Sequence, residues 1–103
     1  MLFQDKDGKF ISNEEAEKKL KDINYKRVAE TKLETVWVST VWLGIDMNLG
    51  FEKPQLFETM VFEAKDGAVT NWGDLEMDRY ATVEEAKAGH AAIVEKWRRN
   101  VPR

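Results

Sequence analysis

The amino-acid sequence predicts an α+β fold: a mainly antiparallel sheet of about four strands, with a C-terminal helix and a shorter N-terminal helix packed on one face. Three observations predict it. Two capping boxes each precede apolar residues at helical spacing. Runs of β-branched and aromatic residues, separated by turn formers, lie between them. The length of 103 residues is that of one domain, so residues 1–103 are treated as a single α+β domain.

The N-terminal part predicts a short hairpin followed by a helix. An Asp-Gly turn at residues 7–8 separates two short extended pieces at residues 2–3 and 10–11. The first capping box, at residues 12–15, opens a helix that runs to about Asp22. The apolar side of this helix is predicted to consist of Ala16, Leu20 and Ile23.

The middle of the chain predicts the sheet. Residues 25–33 are polar with some alternation, which is typical of an exposed strand. Residues 36–45 are almost uninterrupted β-branched and aromatic residues, and neither face of this strand is polar enough for open water. We therefore place it in the sheet interior. The remaining strands are predicted at 55–64 and 75–81, and the connecting loops at 46–54 and 65–74.

The second capping box, at residues 82–85, opens the C-terminal helix. Its apolar residues recur at helical spacing and are Val83, Ala86, His90, Ile93 and Trp97. Gly89 lies in the middle of this helix, where glycine costs about 1 kcal/mol relative to alanine. We therefore expect another group to approach the helix closely at that position.

Charge and composition exclude several classes of protein. A net charge of −3 is the opposite of the basic excess on which duplex-binding domains rely, so nonspecific nucleic-acid binding is not expected. The clustered lysines at 18–21 are interpreted as part of a solvated helix face. The absence of cysteine excludes disulfides, a thiol nucleophile and a thiolate metal site. With no leader-like segment and no membrane-length apolar run, we expect a cytoplasmic protein without membrane contact.

The sequence contains no familiar catalytic motif: no phosphate loop, nucleophile elbow, Ser/His/Asp spacing or HExxH helix. His90, the single histidine, lies in an apolar stripe, where a histidine is more often a core residue than a catalyst. Asp46, Asn48, Glu58 and Asp78 are oxygen donors that could converge on a hard cation. Asp46 and Asn48 are more simply explained as turn residues that bond their own backbone. No metal and no cofactor is therefore expected.

Glu58 is the most informative charged residue. It shares a strand face with Leu56, Met60 and Phe62, and a buried carboxylate needs a partner. Arg79, on a neighbouring predicted strand, is the natural candidate, so we predict a buried Glu58–Arg79 ion pair. In the alternative interpretation this face is half wet, and the two groups are solvated and more than about 6 Å apart.

Tryptophan placement predicts an interaction surface. Trp37 and Trp42 lie on opposite faces of one strand, and Trp72 falls in the predicted loop at 65–74. One layer of two helices cannot cover both faces of so small a sheet, and exposed apolar patches usually mark interaction sites. The alternative is that the loops at 46–54 and 65–74 fold over the second face. The candidate binding residues are Thr40, Trp42, Asp46, Asn48, Glu58, Met60, Arg79 and His90.

Four sequence blocks, at residues 38–46, 57–62, 78–82 and 88–90, resemble a family of short uncharacterised proteins from tailed bacteriophages and prophages. The blocks contain the strings STVWLG, FETMVF, DRYAT and AGH, and the resemblance covers about residues 38 to 94. It implies a viral or mobile-element origin and no particular activity. The loop before the second block and the segment after Phe62 differ from those of the family, so no role in either is carried over.

Three functions follow as hypotheses. The first is a small cytoplasmic accessory protein that acts without catalysis, by binding a host protein or a small molecule through the exposed sheet face, or by forming a homodimer there. The second is a phage structural or assembly component that forms high-order oligomers. The third is a small enzyme that uses Glu58, Asp46 or His90, with Arg79 holding an anion.

Overall fold

A four-stranded antiparallel sheet with a long helix along one face forms the body of the protein in the computed structural model, which describes residues 2–45 and 54–99. The elements in chain order are β1 (Phe3–Gln4), β2 (Phe10–Ile11), α1 (Asn13–Lys21), α2 (Ile23–Lys26), β3 (Arg27–Lys32), β4 (Val36–Trp42), β5 (Phe57–Lys65), β6 (Ala68–Tyr80) and α3 (Val83–Arg99). The sheet order is β3-β4-β5-β6, and β1 pairs with β2 in a separate hairpin. The predicted α+β fold is confirmed.

The N-terminal hairpin and helix form where the sequence predicts them. Asp5 Oδ1 accepts hydrogen bonds from the amides of Asp7 and Lys9, which closes the turn between β1 and β2. Ser12 caps α1 by accepting from the amide of Glu15 at 3.1 Å. Helix α1 ends at Lys21, and α2 begins at Ile23 as a separate single turn. The predicted burial of Ile23 is therefore wrong: its side chain is 53% exposed.

Strand β4 lies inside the sheet, between β3 and β5, as predicted. Its side chains alternate strictly between buried and half-buried. The strand ends at Trp42 rather than at residue 45, because Gly44 adopts a φ of 85° that extended chain cannot continue through. The carbonyl of Gly44 instead accepts a hydrogen bond from the amide of Gln4, and this bond connects the N-terminal hairpin to this end of the sheet.

The predicted loop at 65–74 is wrong, because these residues form a tight hairpin. Asp66 and Gly67 have φ values of 53° and 80°, as a two-residue hairpin turn requires, and Lys65 pairs with Ala68 across it. β6 then runs through the asparagine, glycine and aspartate that had suggested a loop. The β5–β6 register shifts between Val61 and Ala64, and such bulges accommodate turn-forming residues within a strand.

The core lies between the sheet and α3, on the side that we call the helix face. Two clusters of buried side chains fill it: Val36, Val38, Val61, Ile93 and Val94 in one, and Trp42, Leu56, Phe57, Tyr80 and Ala86 in the other. Thr82 caps α3 by accepting from the amide of Glu85 at 3.1 Å. A Cβ atom at Gly89 would overlap the ring of Tyr80, so the predicted close approach is confirmed. None of the helices described combines the length and apolarity that crossing a bilayer requires.

Candidate functional site

The opposite side of the sheet, which we call the far face, is defined by cross-strand pairs. Residues directly opposite each other in adjacent strands point to the same side of the sheet. The pairs that define this side are Trp37 with Phe62, Ser39 with Met60, Val41 with Glu58, Met60 with Met77, and Glu58 with Arg79. Within the described residues, neither core cluster includes a side chain of this face.

An aromatic cluster of Trp37, Phe62 and Trp72 occupies one end of the far face. The ring of Trp72 meets Trp37 edge-on at a centroid distance of 6.0 Å and meets Phe62 at 5.2 Å. Edge-to-face pairs of this kind add about 0.5–1.5 kcal/mol beyond the area they bury. Trp72 nevertheless stays 68% exposed.

Two methionines continue the apolar surface towards the middle of the far face. Met60 is half-buried, and Met77, directly across from it on β6, is 43% exposed. A thioether adapts its shape to different neighbours, and methionine is frequent at binding surfaces for that reason. The aromatic cluster and the two methionines together form what we call the apolar strip.

The Glu58–Arg79 ion pair borders the apolar strip. Arg79 Nε donates to Glu58 Oε2 at 2.9 Å, and the two side chains are 22% and 10% exposed. The predicted pair is therefore confirmed, whereas the face around it is partly exposed to water at Trp72 and Met77. Each charge satisfies the other at a position where apolar neighbours limit access of water.

His90 lies on the helix face, where threonine hydroxyls meet both of its ring nitrogens. Nδ1 is 2.7 Å from Thr40 Oγ1 and Nε2 is 2.8 Å from Thr31 Oγ1. Thr40 in turn hydrogen-bonds Thr59. Burial lowers the pKa of His90 below its ordinary value, because the imidazolium would lose its hydration. His90 is thus a buried core residue, as the apolar stripe predicts.

The structure divides the predicted binding residues between the two faces. Glu58, Met60 and Arg79 meet on the far face. The other described candidates, Thr40, Trp42 and His90, are buried on the helix face and do not contribute to that surface. Asp46 and Asn48 lie outside the described residues. Within the described ranges, no three acidic or histidine side chains are grouped so that they could hold a metal ion.

Trp72 and Met77 belong to this surface but were missed among the candidate residues. The Asp-Gly dipeptide at 66–67 was the signal that could have placed them, because it is a strong hairpin signal between alternating strands. Once β6 begins at Ala68, its pairing with β5 brings Met77 opposite Met60. The alternative that the segment 65–74 covers the second face as a loop is wrong, since this segment extends the sheet and adds Trp72 to the surface. Of the other loop, at 46–54, all residues except Pro54 lie outside the described part.

Comparison with known proteins gives no match, either to a family model, to a curated protein or to a solved structure. The similarity to tailed-phage proteins therefore stays a prediction that rests on the four sequence blocks.

Proposed function

We propose that this protein is a non-enzymatic binding protein that holds another protein against its far face. The observation that carries the proposal is the apolar strip: three aromatic rings and two methionines on a sheet face from which the core clusters are absent in the described residues. Tryptophan, methionine and arginine are enriched at protein interfaces. Tryptophan and arginine are also frequent among the few residues that supply most of the binding energy.

The shape of the far face favours a protein over a small molecule as the occupant. Small ligands are held in concave sites that enclose most of their surface. Two hollows of the described structure, of about 420 Å³ beside Leu20 and about 410 Å³ beside Glu63, are not lined by residues of the apolar strip. The apolar strip is carried by paired strands, which present a broad surface of the kind that a second protein covers.

The Glu58–Arg79 ion pair supports specificity at this surface. A charged pair already held in place at the edge of an apolar strip favours partners with complementary polar groups and disfavours others. Because the pair is preformed, a partner does not have to order it on binding. The surface thus combines apolar contact area with an ion pair that is already ordered.

The tailed-phage resemblance extends the proposal to a biological setting. In that setting the protein is a small accessory protein in the bacterial cytoplasm, and its partner is a host protein. The catalytic alternative loses support, because Glu58 and His90 lie on opposite faces of the sheet. Thr59, the residue after Glu58 in β5, belongs to the hydrogen-bond network of His90, whereas Glu58 pairs with Arg79 on the far face. The assembly alternative becomes one outcome of the experiment that follows.

The test compares two double variants of similar chemistry. W72S/M77S removes exposed apolar side chains from the far face, whereas F10S/I23S removes side chains that are 68% and 53% exposed elsewhere. A protein captured from bacterial lysate by the unaltered chain is identified by mass spectrometry, purified and measured by calorimetry. We expect W72S/M77S to weaken its binding at least about tenfold and F10S/I23S to change it less than about twofold.

Equal losses in the two double variants, or unchanged binding by W72S/M77S, would overturn the proposal. Light scattering on the purified protein supplies the other decisive result. High-order oligomers that W72S/M77S dissociates would favour the assembly component over the accessory protein.

A further inference from the structure

Lys6 and Lys19, from separate parts of the chain, contact the ring of Tyr25, and the charge of Lys87 acts on Lys6. Lys6 lies in the turn between β1 and β2, Lys19 in α1 and Lys87 in α3. The ammonium nitrogens of Lys6 and Lys19 lie 4.5 Å and 4.1 Å from the centroid of the Tyr25 ring. Both distances are typical of cation–π contacts. We call Lys6, Lys19 and Lys87 the lysine cluster.

Tyr25 is held by the core and forms a fixed base for the lysine cluster. Its hydroxyl accepts a hydrogen bond from the backbone amide of Lys6 at 3.0 Å. Its ring meets the fully buried Trp42 edge-on, at a centroid distance of 5.1 Å and an interplanar angle of 89°. The ring that the ammonium groups of Lys6 and Lys19 contact is therefore held in place by packed structure.

Within the part of the chain that the structure describes, no ion pair balances the charges of the lysine cluster. Across residues 2–45 and 54–99, no carboxylate forms an ion pair with Lys6, Lys19 or Lys87, whereas Lys21 pairs with Glu17 and Lys96 with Glu76. Asp22 is the acidic neighbour of Lys6, and one of its carboxylate oxygens already caps α2 by accepting from two backbone amides.

The charges of Lys87 and Lys19 both act on Lys6. Burial is the main cause that lowers the pKa of Lys6, and the positive charges of Lys87 and Lys19 lower it further, while Asp22 opposes them. Repulsion among like charges that are held together raises the free energy of the folded state. A bound anion would relieve that repulsion.

We propose that the lysine cluster binds one phosphate group of a small molecule. Phosphate offers several oxygens to more than two ammonium donors, and lysine binds it as a compact point charge. A single phosphate group fits better than a nucleic acid, because α1 also carries Glu14, Glu15 and Glu17 and the whole chain has a net charge of −3. At Lys19, this proposal replaces the interpretation of the lysines at 18–21 as a solvated helix face.

The experiment titrates the full ¹⁵N-labelled chain with inorganic phosphate at constant ionic strength and follows backbone amide shifts. We expect saturable shifts at the amides of Lys6 and Tyr25, with a millimolar or lower Kd. K6Q, K19Q and K87Q should each weaken binding by about fivefold or more, because each removes one charged donor.

Lys18→Gln is the matched control. It makes the same charge change on the same helix, beside Glu14 and Glu17, and should alter the affinity less than about twofold. The amide spectrum also reports whether each variant is folded. Should loss of the Tyr25 contact unfold K6Q or K19Q, K87Q still tests the site, since Lys87 has no described contact with the ring.

The proposal is overturned if phosphate shows no saturation up to about 20 mM, or if K18Q weakens binding as much as the cluster variants do. A parallel titration with glycerol phosphate identifies the source of the group. Tighter binding of glycerol phosphate than of inorganic phosphate indicates a phosphorylated small molecule, and equal binding indicates free phosphate. A short DNA duplex that binds more tightly than either, with steep salt dependence, would overturn the small-molecule assignment.

Discussion

The two faces of the central sheet are made by the same strands but differ in burial. On the helix face, alternate residues of β4 and β5 are buried against α3, and the polar groups among them, such as Thr40 and His90, hydrogen-bond each other. On the far face the intervening residues are also largely apolar, yet Trp72 and Met77 remain exposed. The comparison shows that a two-layer fold buries one side of an apolar strand and leaves the other side partly exposed.

The largest expected difference between the faces is in the free energy of unfolding of two phenylalanine variants. Phe57 and Phe62 lie in the same strand; Phe57 is fully buried on the helix face and Phe62 half-buried on the far face. We expect Phe57→Ala to destabilise the protein by about 3–5 kcal/mol and Phe62→Ala by less than about half of that. Urea unfolding of both variants measures the difference, and equal losses would show that the far face is as tightly packed as the helix face.

A smaller effect is expected where α3 meets the sheet. Gly89→Ala should destabilise the protein by about 2–3 kcal/mol, because the added methyl group overlaps the Tyr80 ring, although alanine is the better helix former. Ala92→Gly, at an exposed position of the same helix, is the control and should cost about 1 kcal/mol from helix propensity alone. Thermal unfolding that ranks Gly89→Ala as the more stable of the two would contradict the close contact.

The smallest effect concerns pH and the His90 network. Because burial lowers the pKa of His90 in the folded state, the unfolded chain binds the proton more readily. The contribution of His90 to stability is therefore complete above its ordinary pKa of 6.5 and is lost as the pH falls below that value towards the folded pKa. The urea concentration at the unfolding midpoint of the unaltered protein should decline as the pH is lowered from 7.5 to 5. His90→Asn should show a flatter profile over this range, and an unchanged slope would assign the pH dependence to other groups.

Local sequence signals predicted much of this fold. Both capping boxes open the helices that they predict, with Ser12 and Thr82 as caps. The Glu58–Arg79 pair and the close contact at Gly89 were also predictable. A charge among apolar residues needs a partner, and glycine inside a helix costs stability unless a neighbouring group leaves no room for a side chain. Each of these inferences rests on the chemistry of a few neighbouring residues.

Features that depend on distant residues were beyond the sequence. The His90 network joins Thr31, Thr40 and Thr59, which come from three strands whose register no local pattern defines. The lysine cluster likewise combines residues of the β1–β2 turn, α1 and α3, which are far apart in the sequence. The β6 strand was missed for a different reason: its asparagine and glycine favour loops, and only the bulged pairing with β5 keeps them in the sheet.

The bulged pairing of β6 also bears on how copies of the protein avoid one another. β6 ends the sheet in the described part of the chain, and an outermost strand of 13 residues is an inviting template for uncontrolled strand addition. The irregular register bends this border, and the exposed carboxylates of Asp74 and Asp78 would repel the same groups of an incoming copy. The charged, irregular border thus disfavours strand addition between copies, and the adjoining surface of Trp72 and Met77 carries no such charge.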